Sequence, residues 1–351
     1  MSYLDNIRRV TPYVPGEQPK AANVIKLNTN ENPYPPAEGV KTALSELNCE
    51  LLRRYPDPNV TLLVRELAEY YGVAENQVFV GVGSDDVLAM SFLTFFSGAK
   101  PVLFPDITYS FYDVWAEMLR IPYRQLPLDE NFRIRREDYR TENGGIVIAN
   151  PNAPTAIGEG LDFVEDIVKN NPDSVVLVDE AYVDFGGVTA LPLVEKYPNV
   201  AVVRTFSKSR SMAGMRIGFL ISSPELVGYL NDVKQSFNSY TMNATAIVCG
   251  VEAVRDRAYF EECCEKIVKT REWAGAELRK LGFHMTDSRT NFLFVTHEEM
   301  PAGEIFLALR ERNIFVRYFK KPRIDNYLRI TVGTDHEMLE LIRALKEILK
   351  R

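Results

Sequence analysis

Short apolar runs alternate with helical patterns over the first two thirds of the chain. QVFVGVG (77–83), PVLFP (101–105), GGIVIANPN (144–152), SVVLVDEAY (174–182), VAVVRTFSK (200–208) and RIGFLIS (216–222) read as strands. Between most of them the apolar period is close to that of a helix: SDDVLAMSFLTFF after Gly83, SFYDVWAEMLR after Tyr109, LDFVEDIVKN after Gly160 and PELVGYLNDVKQSF after Ser223. Such alternation predicts an α/β fold on a mostly parallel, doubly wound sheet. From about Asn243 the pattern becomes one long helical stretch ending near Leu281 and Gly282. Short strands follow in NFLFV, NIFVRYF and NYLRITVG, then a helix opened by Thr334 and Glu337 at capping-box spacing. We therefore expect an N-terminal arm over 1–40, rich in Pro and Asn and associated with the smaller domain. A large domain over 41–245 and a smaller α+β domain over 246–351 complete the expected organisation.

Composition narrows the function classes. With 351 residues, 46% of them hydrophobic, the chain can bury a large core. Its 41 basic and 48 acidic residues leave a net charge of −7, without a basic block or aromatics set among arginines, so no nucleic-acid partner is expected. The opening MSYLDNIRRV carries Asp5, Arg8 and Arg9 where a signal peptide needs an apolar core, and no apolar run approaches roughly 18 residues. A cytoplasmic protein without a membrane partner is the expectation. Cys49, Cys249, Cys263 and Cys264 form no CxxC pair and the three histidines lie far apart, which argues against a disulfide framework or a metal site.

The polar residues at strand ends carry the chemistry. Ligands of open α/β sheets bind at the carboxyl ends of strands, where three successive runs here finish in Asn150-Pro-Asn152, Asp179-Glu180-Ala-Tyr182 and Ser207-Lys208. A buried lysine or aspartate without a partner would be costly, so a bound group offering an electrophile to one and a cation to the other is implied. Pyridoxal phosphate meets both demands, through an aldehyde that forms an imine with an amine and a ring nitrogen that an aspartate keeps protonated. An aromatic residue can stack on its ring, a hydroxyl or amide can bond its phenolate oxygen, and a phosphate wants helix N-terminal amides with an arginine; Tyr109, Asn152 and Tyr182 each follow a strand. Gly81-Val-Gly83-Ser84-Asp85-Asp86 follows a strand and opens a helix, and Arg216 lies eight positions past Lys208. Each feature alone has an ordinary structural reading: a capped turn, a core tyrosine, a surface arginine. Their common place at strand ends favours the joint one.

The combination resembles the fold-type-I pyridoxal-phosphate aminotransferases, and within them the histidinol-phosphate aminotransferase family. The likeness rests on TPYVPG (11–16), LNTNENPYPP (27–36), RRYPDP (53–58), PDITYSFY (105–112), NPNAPT (150–155), VDEAYVDF (178–185), RTFSKSRSMAGMRIG (204–218), FVR (315–317) and YLRITVGT (327–334). The resemblance implies that Lys208 is the imine lysine, that Asp179 faces the pyridine nitrogen, that Tyr182 bonds the phenolate oxygen and that Tyr109 stacks on the ring. It gives the phosphate to the amides of Ser84 and Asp85, to Ser207 with Thr205, and to Arg216. Tyr55 would reach the cofactor of a neighbouring subunit, which implies a homodimer with shared sites. Arg329 would hold the acidic end of histidinol phosphate or of 2-oxoglutarate, and Arg317 with Tyr13 and Asn30 would complete a phosphate pocket. One position departs from the family pattern NPNNPTG, where the second middle asparagine bonds the phenolate oxygen. Here it is Ala153, and Asn152 is expected to supply the amide. Threonine-phosphate decarboxylases and aromatic aminotransferases share most of these motifs. From a different class, the chain could be a non-catalytic ligand-binding module or a nicotinamide-dependent oxidoreductase, although Asp86 stands where a dinucleotide fingerprint has its third glycine.

Overall fold

The computed structural model describes residues 2–19 and 23–350. Among them the strands are β1 (Ile25–Leu27), β2 (Val78–Gly81), β3 (Val102–Pro105), β4 (Tyr123–Leu126), β5 (Gly145–Ala149), β6 (Val176–Asp179), β7 (Val200–Thr205), β8 (Gly218–Ser222), β9 (Phe283–Met285), β10 (Phe292–His297), β11 (Ile314–Tyr318) and β12 (Leu328–Thr331). All six apolar runs over 77–222 became strands of one seven-stranded sheet, in the order β2-β8-β7-β6-β5-β3-β4. Strands β4, β3, β5, β6 and β7 run parallel, and β8 is antiparallel to both of its neighbours. Every residue of β5, β6 and β7 is buried, as helices on both faces require of a parallel sheet.

The register sets the chemistry. Ala149 pairs with Asp179 and Asp179 with Val203, so β5, β6 and β7 end side by side and deliver Asn150, Glu180 and Ser207-Lys208 to one edge. Gly81 pairs with Gly218 across β2 and β8. A Cβ at Gly218 would come 2.3 Å from the amide nitrogen of Ser84, so only glycine lets the helix Ser84–Phe95 start against that strand.

A second sheet has the order β1-β11-β12-β10-β9, with β1 parallel to β11 and the others antiparallel. Its core joins Leu27 to Leu293, Ile330 and Leu341. The long helical pattern after Asn243 is two helices, Ala244–Arg255 and Arg257–Lys280, divided at Asp256, whose carboxylate caps Tyr259 N–H at 3.2 Å. The first packs on helices Glu38–Ser45 and Thr61–Tyr71 in the core of the larger sheet. The capping box before the final helix is present, with Thr334 N–H donating to Glu337 at 2.7 Å. No helix among the described residues is long and apolar enough to cross a membrane, and no group of His, Cys, Asp and Glu there could hold a metal.

Candidate active site

A cavity of about 160 Å³ lies at the carboxyl edge of β5, β6 and β7, with Lys208, Asp179, Tyr182, Tyr109, Ser84 and Arg216 in its wall. A second, of about 140 Å³, adjoins it through Tyr109, Tyr182 and Lys208 and reaches Arg317 and Arg329 on the other sheet. Most of the expected residues are therefore drawn into two linked chambers by both sheets. Lys208 Nζ donates to Thr29 O at 3.3 Å and stands 5.7 Å from the centre of the Tyr182 ring.

Asp179 is buried at the end of β6. Its Oδ2 accepts from Tyr112 Oη at 2.8 Å and its Oδ1 from Ala181 N–H at 3.2 Å. Burial pushes its carboxyl up to about 6, against the opposing pull of those two donors. No cation ion-pairs with it among the described residues, so a ligand carrying a positively charged nitrogen would relieve a real electrostatic cost.

The opposite end of the first chamber suits a phosphate. Gly83, with φ +85°, precedes the helix Ser84–Phe95 without a side-chain cap, which leaves the first N–H groups of the helix free to face an anion. Asp86 is turned away and accepts from Val82 N–H at 2.9 Å. Arg216 sits over this turn in left-handed backbone, φ 55°, a conformation that costs a non-glycine residue about 1–3 kcal/mol. Its guanidinium reaches Asp85 Oδ2 at 3.2 Å and Ser207 Oγ at 3.5 Å. Asp85 Oδ1 in turn accepts from Tyr109 Oη at 2.7 Å. Thr205 lies behind Ser207, their hydroxyls 3.0 Å apart, and does not line the chamber.

The second chamber is built on two strands. Arg317 and Arg329 face each other in register across β11 and β12. Neither has a carboxylate partner among the described residues, so the reading of a surface ion pair is not met. Arg329 donates to Asn28 O at 3.0 Å, its Nε has no partner, and its guanidinium lies 5.3 Å from the Phe292 ring centre and 5.6 Å from that of Phe319. Burial, followed by the neighbouring Arg317 charge, lowers its affinity for its own proton. Arg317 donates to Val14 O at 3.4 Å, and Tyr13 stacks on Phe111 at 4.1 Å, which brings the N-terminal arm over the chamber. Asn30, also left-handed at φ 57°, donates through Nδ2 to Tyr182 Oη at 2.9 Å, which leaves the phenol hydrogen of Tyr182 for another acceptor.

Asn152 is a correction. Its amide donates to Ile107 O and Thr155 Oγ1, both at 2.9 Å, and its Oδ1 accepts from Thr108 at 2.7 Å. With both hydrogens used within the loop it lines neither chamber, and Ala153 occupies the wall instead. Tyr55 is 81% exposed and stacks on exposed Tyr240 at 4.6 Å, away from both chambers of its own chain. Motif spacing did not point to Tyr112, Thr29 or Phe319. Tyr112 N–H donates to Tyr109 O at 3.2 Å, so the two share the turn that leads into the helix, and their offset of three was the available signal.

The aminotransferase class I and II family model matches residues 22–345. A histidinol-phosphate aminotransferase of Lactococcus lactis subsp. cremoris is 50% identical over 350 residues, which cover 100% of this chain and 98% of the relative. The chain belongs to the class I and II aminotransferases, in the histidinol-phosphate aminotransferase family. The fold agrees with that membership. The histidinol-phosphate aminotransferase of Clostridium acetobutylicum superimposes with TM-score 0.85 at 22% identity, over 93% of this chain and 99% of that one. That of Sinorhizobium meliloti, solved in complex with pyridoxal-5'-phosphate, superimposes with TM-score 0.84 at 24% identity over 93% and 90%.

Proposed function

We propose that this enzyme moves an amino group between L-histidinol phosphate and 2-oxoglutarate, giving imidazole acetol phosphate and L-glutamate in histidine biosynthesis, with pyridoxal 5'-phosphate as cofactor. The observation that carries the substrate is the facing pair Arg317 and Arg329, two guanidiniums without a carboxylate, opening into the chamber that holds Lys208. When bound, the cofactor supplies an aldehyde carbon that links to amines and a ring that takes up the electrons of a broken Cα–H bond.

The chain's own residues do the rest. Asp179 holds the proton on the ring nitrogen, an interaction strengthened by its own burial. Tyr182 donates its hydroxyl hydrogen to the phenolate oxygen, alone in that role because Asn152 is committed elsewhere. Tyr109 covers the ring, its hydroxyl tied to Asp85. Arg216, Ser207 and the amides of Ser84 and Asp85 hold the phosphate, with Arg216 exchanging one anion for another. Lys208 Nζ would link to the cofactor's aldehyde carbon when no substrate is bound and would serve as the base that takes the proton from the substrate Cα. Arg329 binds the acidic end of either substrate through its bidentate fork, and Arg317 adds the second charge that a phosphate demands. The exposed pair Tyr55 and Tyr240 supports a homodimer in which Tyr55 completes the partner's phosphate site.

The test is an absorption spectrum of the purified protein before and after L-histidinol phosphate is added. Loss of the cofactor's internal band and appearance of the pyridoxamine band support the reading. Unphosphorylated histidinol should react more poorly by roughly 2–4 kcal/mol, since it leaves two half-buried cations unmatched. Equal reaction of histidinol, preference for phenylalanine, or release of carbon dioxide would each overturn the substrate assignment.

A further inference from the structure

Tyr112 opens the helix Tyr112–Leu119 and is completely buried. Its ring is held by other rings, Phe92 at 6.1 Å, Phe104 at 5.8 Å, Tyr109 at 5.7 Å and Trp115 at 6.3 Å, which leave the hydroxyl one direction. Phenylalanine would fill this apolar cluster equally well and would not require burying a hydroxyl. The hydroxyl meets one group, Asp179 Oδ2, at 2.8 Å.

We propose that Tyr112 is a positioning residue for Asp179, a fixed donor that holds one carboxylate oxygen so that the ionised group presents its other lone pairs to the cavity. The inference rests on the cofactor reading above and concerns a residue that does not touch the cavity. The surroundings give the donor its weight. From the helix Ser84–Phe95, Asp85 brings a negative charge toward Asp179, and Glu180 is its chain neighbour. Burial and both charges favour a neutral Asp179, whereas Tyr112 and the Ala181 N–H favour the carboxylate. Lys208 and Tyr182 share the cavity wall without bonding to it. Because burial and the Asp179 charge keep the phenol firmly protonated, Tyr112 always offers a hydrogen and never competes for one. Tyr109, in the same turn, treats Asp85 alike at 2.7 Å, so this segment steadies carboxylates at both ends of the chamber.

The experiment uses the full chain and needs no amine substrate, so its outcome is separate from that of the histidinol-phosphate assignment. In the cofactor-free protein the Asp179 carboxyl is titrated by its infrared C=O band, identified by its disappearance in Asp179→Asn. In parallel, the dissociation constant for pyridoxal 5'-phosphate is measured by equilibrium dialysis. For Tyr112→Phe we expect the midpoint to rise by about one pH unit and the dissociation constant to rise about tenfold, as loss of one hydrogen bond to a charged acceptor implies. Replacement of Tyr112 by p-aminophenylalanine, which keeps ring and donor, should restore both. A midpoint and dissociation constant in Tyr112→Phe within twofold of the parent would overturn the proposal. So would failure of the amino analogue to restore them when it folds like the parent. If the parent itself does not bind the cofactor, the cofactor reading fails while the titration still judges Tyr112.

Discussion

Ser209, the residue after Lys208, donates its hydroxyl to Asp184 Oδ2 at 2.6 Å. Asp184 Oδ1 accepts from Arg204 Nη1 at 3.2 Å, and Arg204 Nε and Nη2 reach Glu180 Oε2 at 3.0 and 2.8 Å. The neighbours of Lys208 and Asp179 are thus tied together by one buried guanidinium, which also faces the Tyr71 ring at 5.1 Å. Arg204→Lys keeps the charge and loses the fork, so it should cost about 2–4 kcal/mol of stability and lower kcat with little change in KM. Ser209→Ala should cost about 1 kcal/mol and slow turnover a few-fold. Urea unfolding and steady-state kinetics check both. An unchanged kcat in Arg204→Lys would make the network purely structural.

Asp179 makes the cofactor-free protein pH-sensitive in a defined direction. Its carboxyl is raised from 3.8 to about 6, so the folded state keeps this proton over a range in which the unfolded chain has lost it. The stability it contributes is complete below about pH 4 and is lost as pH rises through about 6, a difference of about 3 kcal/mol. Without cofactor, Asp179→Asn should therefore be more stable than the parent at pH 8 by up to about 3 kcal/mol, with no advantage at pH 4. Urea unfolding at the two pH values decides the matter. With cofactor and amine, the same variant should slow the half-reaction roughly 10²–10⁴-fold, because the ring nitrogen loses its counter-charge.

For Lys208→Ala we expect turnover to vanish while some cofactor still binds through the phosphate cradle of Arg216 and the helix Ser84–Phe95. Borohydride reduction of the parent followed by peptide mapping should place the cofactor on Lys208. A label on another lysine, or an active variant, would remove the assignment.

Arg317 and Arg329 should separate by substrate. Arg329, with an unmatched Nε and the more enclosed position, is expected to serve both partners, so Arg329→Ala should damage both half-reactions. Arg317→Ala should weaken the histidinol-phosphate half-reaction far more than the glutamate one. Equal losses in both would mean that the second cation does not read the phosphate.

What the sequence disclosed follows from what each residue type must satisfy. A carboxylate directly after VVLV and a lysine after VVRTFS stand out because an apolar strand buried on both faces leaves polar groups nowhere but its ends. β4 escaped notice because YRQL is a half-exposed edge strand whose pattern is mostly polar. Tyr112 was hidden for the opposite reason, since a tyrosine at the start of an amphipathic helix reads as core and only the folded chain brings its hydroxyl to Asp179. Asn152 was misjudged because motif spacing locates a side chain but says nothing of how its amide hydrogens are spent. The pairing of Arg317 with Arg329 depends on cross-strand register, which two separate apolar runs do not encode by themselves.

Strand β1 pairs with β11, Ile25 beside Ile314, so the smaller sheet is closed by the two ends of the polypeptide with the entire larger sheet between them. Asn28 and Asn30, which follow β1 and contact Arg329 and Tyr182, reach their places only when the last third of the chain is available. On the ribosome the larger sheet can therefore assemble with Lys208 and Asp179 already side by side, while the anion chamber waits for synthesis to finish. A nascent or C-terminally clipped chain would hold Lys208 and Asp179 at one sheet edge without Arg317 and Arg329 above them.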